Sequence, residues 1–155
     1  MKPFINIMAG LLLFISPAYS QSRLEADVSI GLFEALSVKA KYGDAIQVGV
    51  CQGFFDNSLW MTGIEVYRHF PGKQKDPGLY AYYIMGGFAS TIVAKGYEPF
   101  EKMAFYPRIG KSFYFSEHLG ANLDIGLALV LTDDGLGRYV GIPFPTGGIH
   151  LFLRI

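Results

Sequence analysis

The stretch GANLDIGLALVL, residues 120–131, decides the fold because its side chains alternate without a break. Apolar residues hold one parity from Ala121 to Leu131, whereas Asn122, Asp124 and small residues hold the other. A period of two predicts a β-strand with one apolar face and one polar or small face. Its twelve residues exceed a usual globular strand but match a tilted strand that crosses a bilayer. The stretch therefore predicts one strand of a membrane barrel.

The same alternation recurs along the chain, and it sets the number of strands. Residues 28–41 also alternate, but Glu34 and Ala35 interrupt them, so they form either one long bent strand or a hairpin turning at residues 33–35. Seven or eight strands follow, and eight is favoured because bacterial single-chain membrane barrels have even strand numbers. We therefore predict an all-β, antiparallel up-and-down transmembrane β-barrel of eight strands. The other alternating segments are residues 46–55, 60–69, 79–93, 104–115 and 148–155.

The expected connections set the orientation of the barrel. An even strand count places both termini on one side, which we take as the periplasm. Connections at residues 56–58, 94–103 and 132–146 then face outward, and those at residues 42–45, 71–78 and 116–119 face the periplasm. The two longest irregular loops, 94–103 and 132–146, thus lie outside, as is usual for this class. They are the expected contact surface for an extracellular partner.

The N-terminus predicts export. Lys2 precedes an apolar run at residues 4–15, and Pro17-Ala18-Tyr19-Ser20 ends in the small-x-small pattern that signal peptidase accepts. We expect residues 1–20 to be a signal peptide, cleaved before Gln21, and residues 21–155 to form a single β-barrel domain. The apolar run is too short to be expected as a transmembrane helix. The expected location is the outer membrane.

Composition excludes several classes of function. Thirteen basic and thirteen acidic residues give a formal net charge of zero, so no basic excess points to nucleic acid. The single cysteine, Cys51, cannot form an intrachain disulfide and is expected to be a small buried residue. No CxxC, HExxH or other metal-ligand spacing occurs, so we expect neither a metal nor a cofactor.

Charged residues on the inward parity are the candidate site. An eight-stranded barrel has an interior just wide enough for side chains, where unpaired charges are costly. We therefore expect these charges to form a structural ion-pair cluster that fills the barrel, with Asp124 as the counter-ion of Arg108 or Arg154. His69 and His150 share the inward parity. The predicted cluster comprises Lys39, Lys41, Glu65, Arg108, Asp124 and Arg154.

A barrel hydrolase or acyltransferase is a less favoured alternative. Such an enzyme needs His, Ser and Asp near the outer rim. His69 and His118 are expected at the periplasmic end, away from Ser90 and Thr91, so no catalytic residue is assigned. Residues 133–135, Asp-Asp-Gly, lack the ligand spacing of a calcium loop and predict a solvated turn.

A secreted, soluble lipocalin-like barrel that binds a small apolar ligand is the alternative fold. It would place the apolar parity inside around a cavity and the polar parity outside. The polar parity of residues 120–131 is rich in Gly and Ala and poor in surface charge. Small residues suit a crowded interior, whereas a soluble exterior needs more Lys and Glu. The membrane barrel is therefore favoured.

Several segments of the chain resemble a known family. They are IEVYRHF (64–70), PGKQKDPG (71–78), YYIMGG (82–87), PRIGKSFYFSEHLGANLDIGLAL (107–129) and PFPTGGIHLFLRI (143–155). Together they resemble a family of uncharacterised small outer-membrane β-barrel proteins of Gram-negative bacteria. The resemblance implies the fold, the compartment and contact with outer-membrane lipid and the barrel-insertion machinery, but no activity. Many outer-membrane barrels end in an aromatic residue, whereas this chain ends in Ile155 with Phe152 three residues earlier.

Overall fold

The computed structural model describes residues 23–56, 59–71, 79–93, 100–133 and 139–155. The predicted signal peptide, residues 1–20, lies outside the described residues. So do the central parts of four predicted connections. In the described ranges, no helix has the length and apolar character needed to span a membrane.

Eight antiparallel strands form one closed barrel, in which each strand pairs with its neighbours in the chain and β8 pairs with β1. This confirms the predicted fold class and strand number. The interrupted first segment is a hairpin, with a turn at residues 32–34 followed by Ala35 at a φ of 50°. The strands are β1 Arg23–Gly31, β2 Ala35–Gly43, β3 Ile46–Asp56, β4 Leu59–Pro71, β5 Tyr80–Val93, β6 Phe100–Tyr114, β7 Leu119–Asp133 and β8 Tyr139–Arg154.

Two predicted loops are shorter than expected. β6 already begins at Phe100, so the loop predicted at residues 94–103 is wrong for its last four residues. The loop predicted at residues 132–146 is wrong at both ends, because residues 132–133 complete β7 and residues 139–146 pair with β7 as the first half of β8. The Gly and Pro content of the segment suggested a loop. Its prolines can nevertheless lie in a strand, because they face an edge of β8 that has no pairing partner among the described strands.

The first half of β8 has one unpaired edge. Gly31, the last residue of β1, pairs with Gly148, and the Leu32 N–H donates to the Gly147 carbonyl at 2.9 Å. Beyond this point no described strand lies on that side of β8. In an antiparallel strand, alternate residues direct their backbone groups to the same side. Pro145 and Pro143 share the parity of Gly147, so their ring nitrogens face the unpaired edge, where no ladder hydrogen bond is lost.

The inner and outer faces of the barrel differ sharply in polarity. The Leu-rich parity of β7 faces outward, with Ile125 66% exposed, whereas Asn122 and Asp124 face inward and are buried. Apolar residues also face outward on other strands, where Ile109 of β6 is 62% exposed and Ile149 of β8 is 59% exposed. This arrangement is the reverse of what the lipocalin-like alternative requires.

The interior is layered along the barrel axis. We call the end with the turn at residues 32–34 the distal end, and the end with Arg23 and Arg154 the proximal end. An apolar cluster, to which Phe33, Met61 and Ala104 belong, fills the distal part of the interior. Cys51 is buried in this cluster, as predicted, and is 3% exposed. Charged side chains, with buried polar and aromatic side chains among them, occupy the rest of the interior.

Candidate functional site

The candidate site is a set of buried charged side chains inside the barrel. All six residues predicted for the interior cluster lie there, and none of them is more than 5% exposed. Three acidic residues that the sequence analysis missed join them, together with His150. The complete set, called here the interior ion network, is Glu25, Asp27, Glu34, Lys39, Lys41, Glu65, Arg108, Asp124, His150 and Arg154.

Arg108 of β6 is the centre of the distal part of the network. Its Nη1 and Nη2 atoms donate to the two carboxylate oxygens of Glu34, each at 2.7 Å. Nη2 also donates to Thr146 Oγ1 at 2.7 Å, and Nη1 reaches Asp124 Oδ1 at 3.4 Å. A planar guanidinium that binds both oxygens of one carboxylate forms a strong and directional pair. Arg108 therefore ties the β1–β2 turn to the opposite wall of the barrel.

Lys39 of β2 links two carboxylates in the same region. Its Nζ donates to Glu34 Oε1 at 3.1 Å and to Glu65 Oε1 at 2.8 Å. Glu65 also accepts hydrogen bonds from Tyr67 at 2.5 Å and Tyr106 at 3.1 Å. Glu34 lies in the turn, outside the strands. Burial alone would raise the pKa of its carboxyl, but the hydrogen bonds from Arg108 and the charge of Lys39 together hold this pKa below its ordinary value.

A second group of charges lies toward the proximal end. Lys41 Nζ forms ion pairs with Glu25 and, at 2.8 Å, with Asp27 Oδ2. Arg154 Nε donates to Glu25 Oε2 at 3.1 Å, and its Nη2 donates to Tyr114 Oη at 3.1 Å. The counter-ion of Arg154 is therefore Glu25 and not Asp124. Of the two alternatives for Asp124, only Arg108 is its partner, because Arg154 lies too close to the proximal end.

The three histidine rings do not meet. His150 Nε2 lies 2.8 Å from Asp124 Oδ2, which also accepts a hydrogen bond from Tyr83 Oη at 3.0 Å. The His69 ring contacts the Gln47 side chain at 2.9 Å, and His118 Nδ1 lies 3.1 Å from the Arg154 carbonyl. Each ring therefore lies beside a different partner.

Two inward-facing glycines make room for aromatic rings beside the network. A Cβ at Gly87 would lie 2.2 Å from the Tyr106 ring, and one at Gly110 would lie 2.2 Å from the Tyr83 ring. Both tyrosines donate to carboxylates of the network, Tyr106 to Glu65 and Tyr83 to Asp124. These close approaches fill the interior and aim the tyrosine hydroxyls.

The acidic residues missed by the sequence analysis differ in how readily they could be found. Glu25 and Asp27 share the inward parity of Ser29, so extending the alternation back to Arg23 would have identified them. Glu34 carries no such signal. It lies in a turn, and its inward position depends on how the turn folds over the distal end of the barrel.

The basic and acidic side chains of the network are paired with one another. Among the described residues, no group of three or more His, Cys, Asp or Glu side chains is placed to hold a metal ion. Each basic side chain of the network instead lies within ion-pair distance of at least one carboxylate. The turn predicted at residues 133–135 is wrong for Asp133, which is the last residue of β7, and Asp134 and Gly135 lie outside the described residues.

One solved structure provides a comparison for this geometry. The N-terminal β-barrel domain of Pseudomonas aeruginosa OprF matches 85% of this chain over 96% of its own length, with a TM-score of 0.50. The two chains share a barrel fold. Their sequence identity is 17%, so the likeness concerns the fold alone. No protein-family model and no curated protein matches the chain.

Proposed function

We propose that this chain is a small outer-membrane β-barrel with a filled interior and a structural or interaction role. The observation that carries the proposal is the contrast between the apolar outer face of the barrel and its charged interior. Its outward face is built from apolar side chains such as Ile30, Ile109 and Ile125, which are 62–69% exposed. An apolar surface that surrounds a barrel matches a hydrocarbon environment and is rare on soluble monomers.

The interior supports a closed barrel in preference to an open pore. Side chains from all around the wall meet across the lumen, as in the pair of Arg108 with Glu34 from the β1–β2 turn. Eight strands enclose only enough space for such side chains. Because each basic group has a carboxylate partner, the network can stay buried without unpaired charge.

We further propose that the barrel is not an enzyme and that it reaches its membrane through the barrel-insertion machinery. The histidine rings are engaged with Gln47, Asp124 and the Arg154 carbonyl, which supports a structural use. An extracellular partner remains a proposal for the connections at residues 94–103 and 132–146. Of these, residues 94–99 and 134–138 lie outside the described residues.

Cell fractionation tests the proposal directly. After lysis of cells expressing the full chain, the protein is expected in the outer-membrane fraction, resistant to extraction with carbonate. On a detergent gel, the unheated protein is expected to migrate differently from the boiled protein, because a closed barrel survives mild detergent. Recovery of the protein in the soluble periplasmic fraction would overturn the membrane assignment.

A further inference from the structure

Two cationic side chains interrupt the apolar outer face near the proximal end. They are Arg68 of β4 and Lys111 of β6, both of which face outward. Phe70, Tyr82 and Lys111 form one row across β4, β5 and β6, and Arg68 lies two residues from Phe70 on the same face. The two cations therefore flank the outward side of β5.

Neither cation has an acidic partner among the described residues. The Arg68 guanidinium lies over the Phe70 ring at 5.8 Å. The Lys111 ammonium lies 5.8 Å from the Tyr82 ring and 4.9 Å from the Phe113 ring. Aromatic contacts of this kind orient a cation but leave its charge unneutralised. This contrasts with the interior ion network, in which each cation lies beside a carboxylate.

Two adjoining grooves on the outer surface lead away from these cations. One, of about 760 Å³, runs from Arg68 past Gly86 and Pro107. The other, of about 900 Å³, borders Tyr82 and Lys111. A ridge formed by Ile84, Ile109 and Ile125 lines both grooves. The linings are predominantly apolar, so each groove is suited to a hydrocarbon chain that begins beside a cation.

We propose that this surface binds one glycerophospholipid with an anionic headgroup, with its phosphate between Arg68 and Lys111 and its acyl chains in the two grooves. Phosphate is the complementary charge, and a pair of acyl chains fits two apolar grooves that share a ridge. This site rests on the proposed function, because it requires the outer face to contact a bilayer. With the termini in the periplasm, the lipid belongs to the periplasmic leaflet.

Native mass spectrometry of the mature protein, folded in a neutral detergent, tests the site with dioleoyl-phosphatidylglycerol as the probe. One lipid is expected to stay bound, and zwitterionic dioleoyl-phosphatidylcholine is expected to bind more weakly. Each cation is expected to contribute to the affinity for the anionic lipid. Arg68→Gln or Lys111→Gln alone is therefore expected to weaken lipid binding about fivefold, and the double variant about thirtyfold. The charge-preserving double variant Arg68→Lys, Lys111→Arg is expected to keep most of the affinity.

Lys102→Gln is the control, because it removes one charge from the inward parity at the opposite end of β6, away from both grooves. Its binding is expected to match that of the unaltered protein. Undiminished retention of phosphatidylglycerol by the double Gln variant would overturn the site, as would preferential binding of lipid A or equal retention of phosphatidylcholine. Heat-modifiable migration is recorded for every sample. Folded protein that does not retain the lipid contradicts only this inference, whereas failure to form a heat-modifiable barrel contradicts the proposed function as well.

Discussion

At the scale of single residues, Glu34 is the decisive member of the interior ion network. Its carboxylate accepts two hydrogen bonds from Arg108 and one from Lys39, and its side chain is buried. Removing one partner from a buried ion pair leaves an uncompensated charge, which costs much more than the pair itself contributes. The stability of the barrel therefore depends on a residue that belongs to none of its strands.

We expect Glu34→Gln to lower the free energy of unfolding by about 3–5 kcal/mol, because Arg108 and Lys39 would lose a charged partner in the interior. Urea titration of the protein in phospholipid vesicles measures the change. Glu117→Gln makes the same chemical change at an exposed turn position and is expected to alter the free energy by less than about 0.5 kcal/mol. Equal effects of the two substitutions would show that the network does not stabilise the barrel.

At the scale of single elements, β8 combines a paired edge and an open edge in one strand. Its first half pairs with β7 but extends past the last residue of β1. An open strand edge invites pairing with another chain, and proline is one of the residues that prevent it. Pro143 and Pro145 direct their ring nitrogens toward this edge, so they protect β8 from pairing with a second copy.

We expect the double substitution Pro143→Ala, Pro145→Ala to promote self-association, because it restores two N–H donors on the open edge of β8. Two hydrogen bonds at about 1 kcal/mol each favour edge pairing by about thirtyfold. Size-exclusion chromatography with light scattering, in detergent, measures the fraction of dimer. Pro107→Ala, in a strand that has a paired neighbour on each side, is the control and is expected to leave the protein monomeric. A monomeric double variant would show that the prolines do not guard the edge.

At the scale of the whole molecule, the closed and filled barrel predicts the absence of an aqueous pore. The apolar cluster at the distal end and the ion network beyond it occupy successive layers of the interior. We expect the protein, reconstituted in a planar lipid bilayer, to show no stable conductance steps. The double variant Glu34→Ala, Arg108→Ala removes an ion pair that spans the lumen while keeping the net charge, but it leaves the apolar cluster in place and is therefore expected to remain non-conducting. Stable conductance of the unaltered protein would contradict a filled interior.

Much of this architecture follows from the sequence alone. Alternation from residue 120 to residue 131 identifies the strand and places Asp124 on its polar parity, because the side-chain period of a strand is two. The small residues on that parity are what indicated that it faces inward. The same rule places Arg108 and Lys39 inside the barrel. The sequence does not identify residues 139–146 as a strand, because their Gly and Pro content indicates a loop. Whether a strand can contain Pro143 and Pro145 depends on which edge of β8 is unpaired.

The sequence by itself determined the strand period and the separation of an apolar from a polar parity, because these depend on local alternation. It left seven or eight strands open, and only the structure showed that residues 28–41 form a hairpin. Only the tertiary structure decided that Glu34 turns inward to bind Arg108, that Arg154 pairs with Glu25, and that Arg68 and Lys111 flank two grooves. These relations join residues from different strands. They depend on the register in which the barrel closes, which no single segment of the chain encodes.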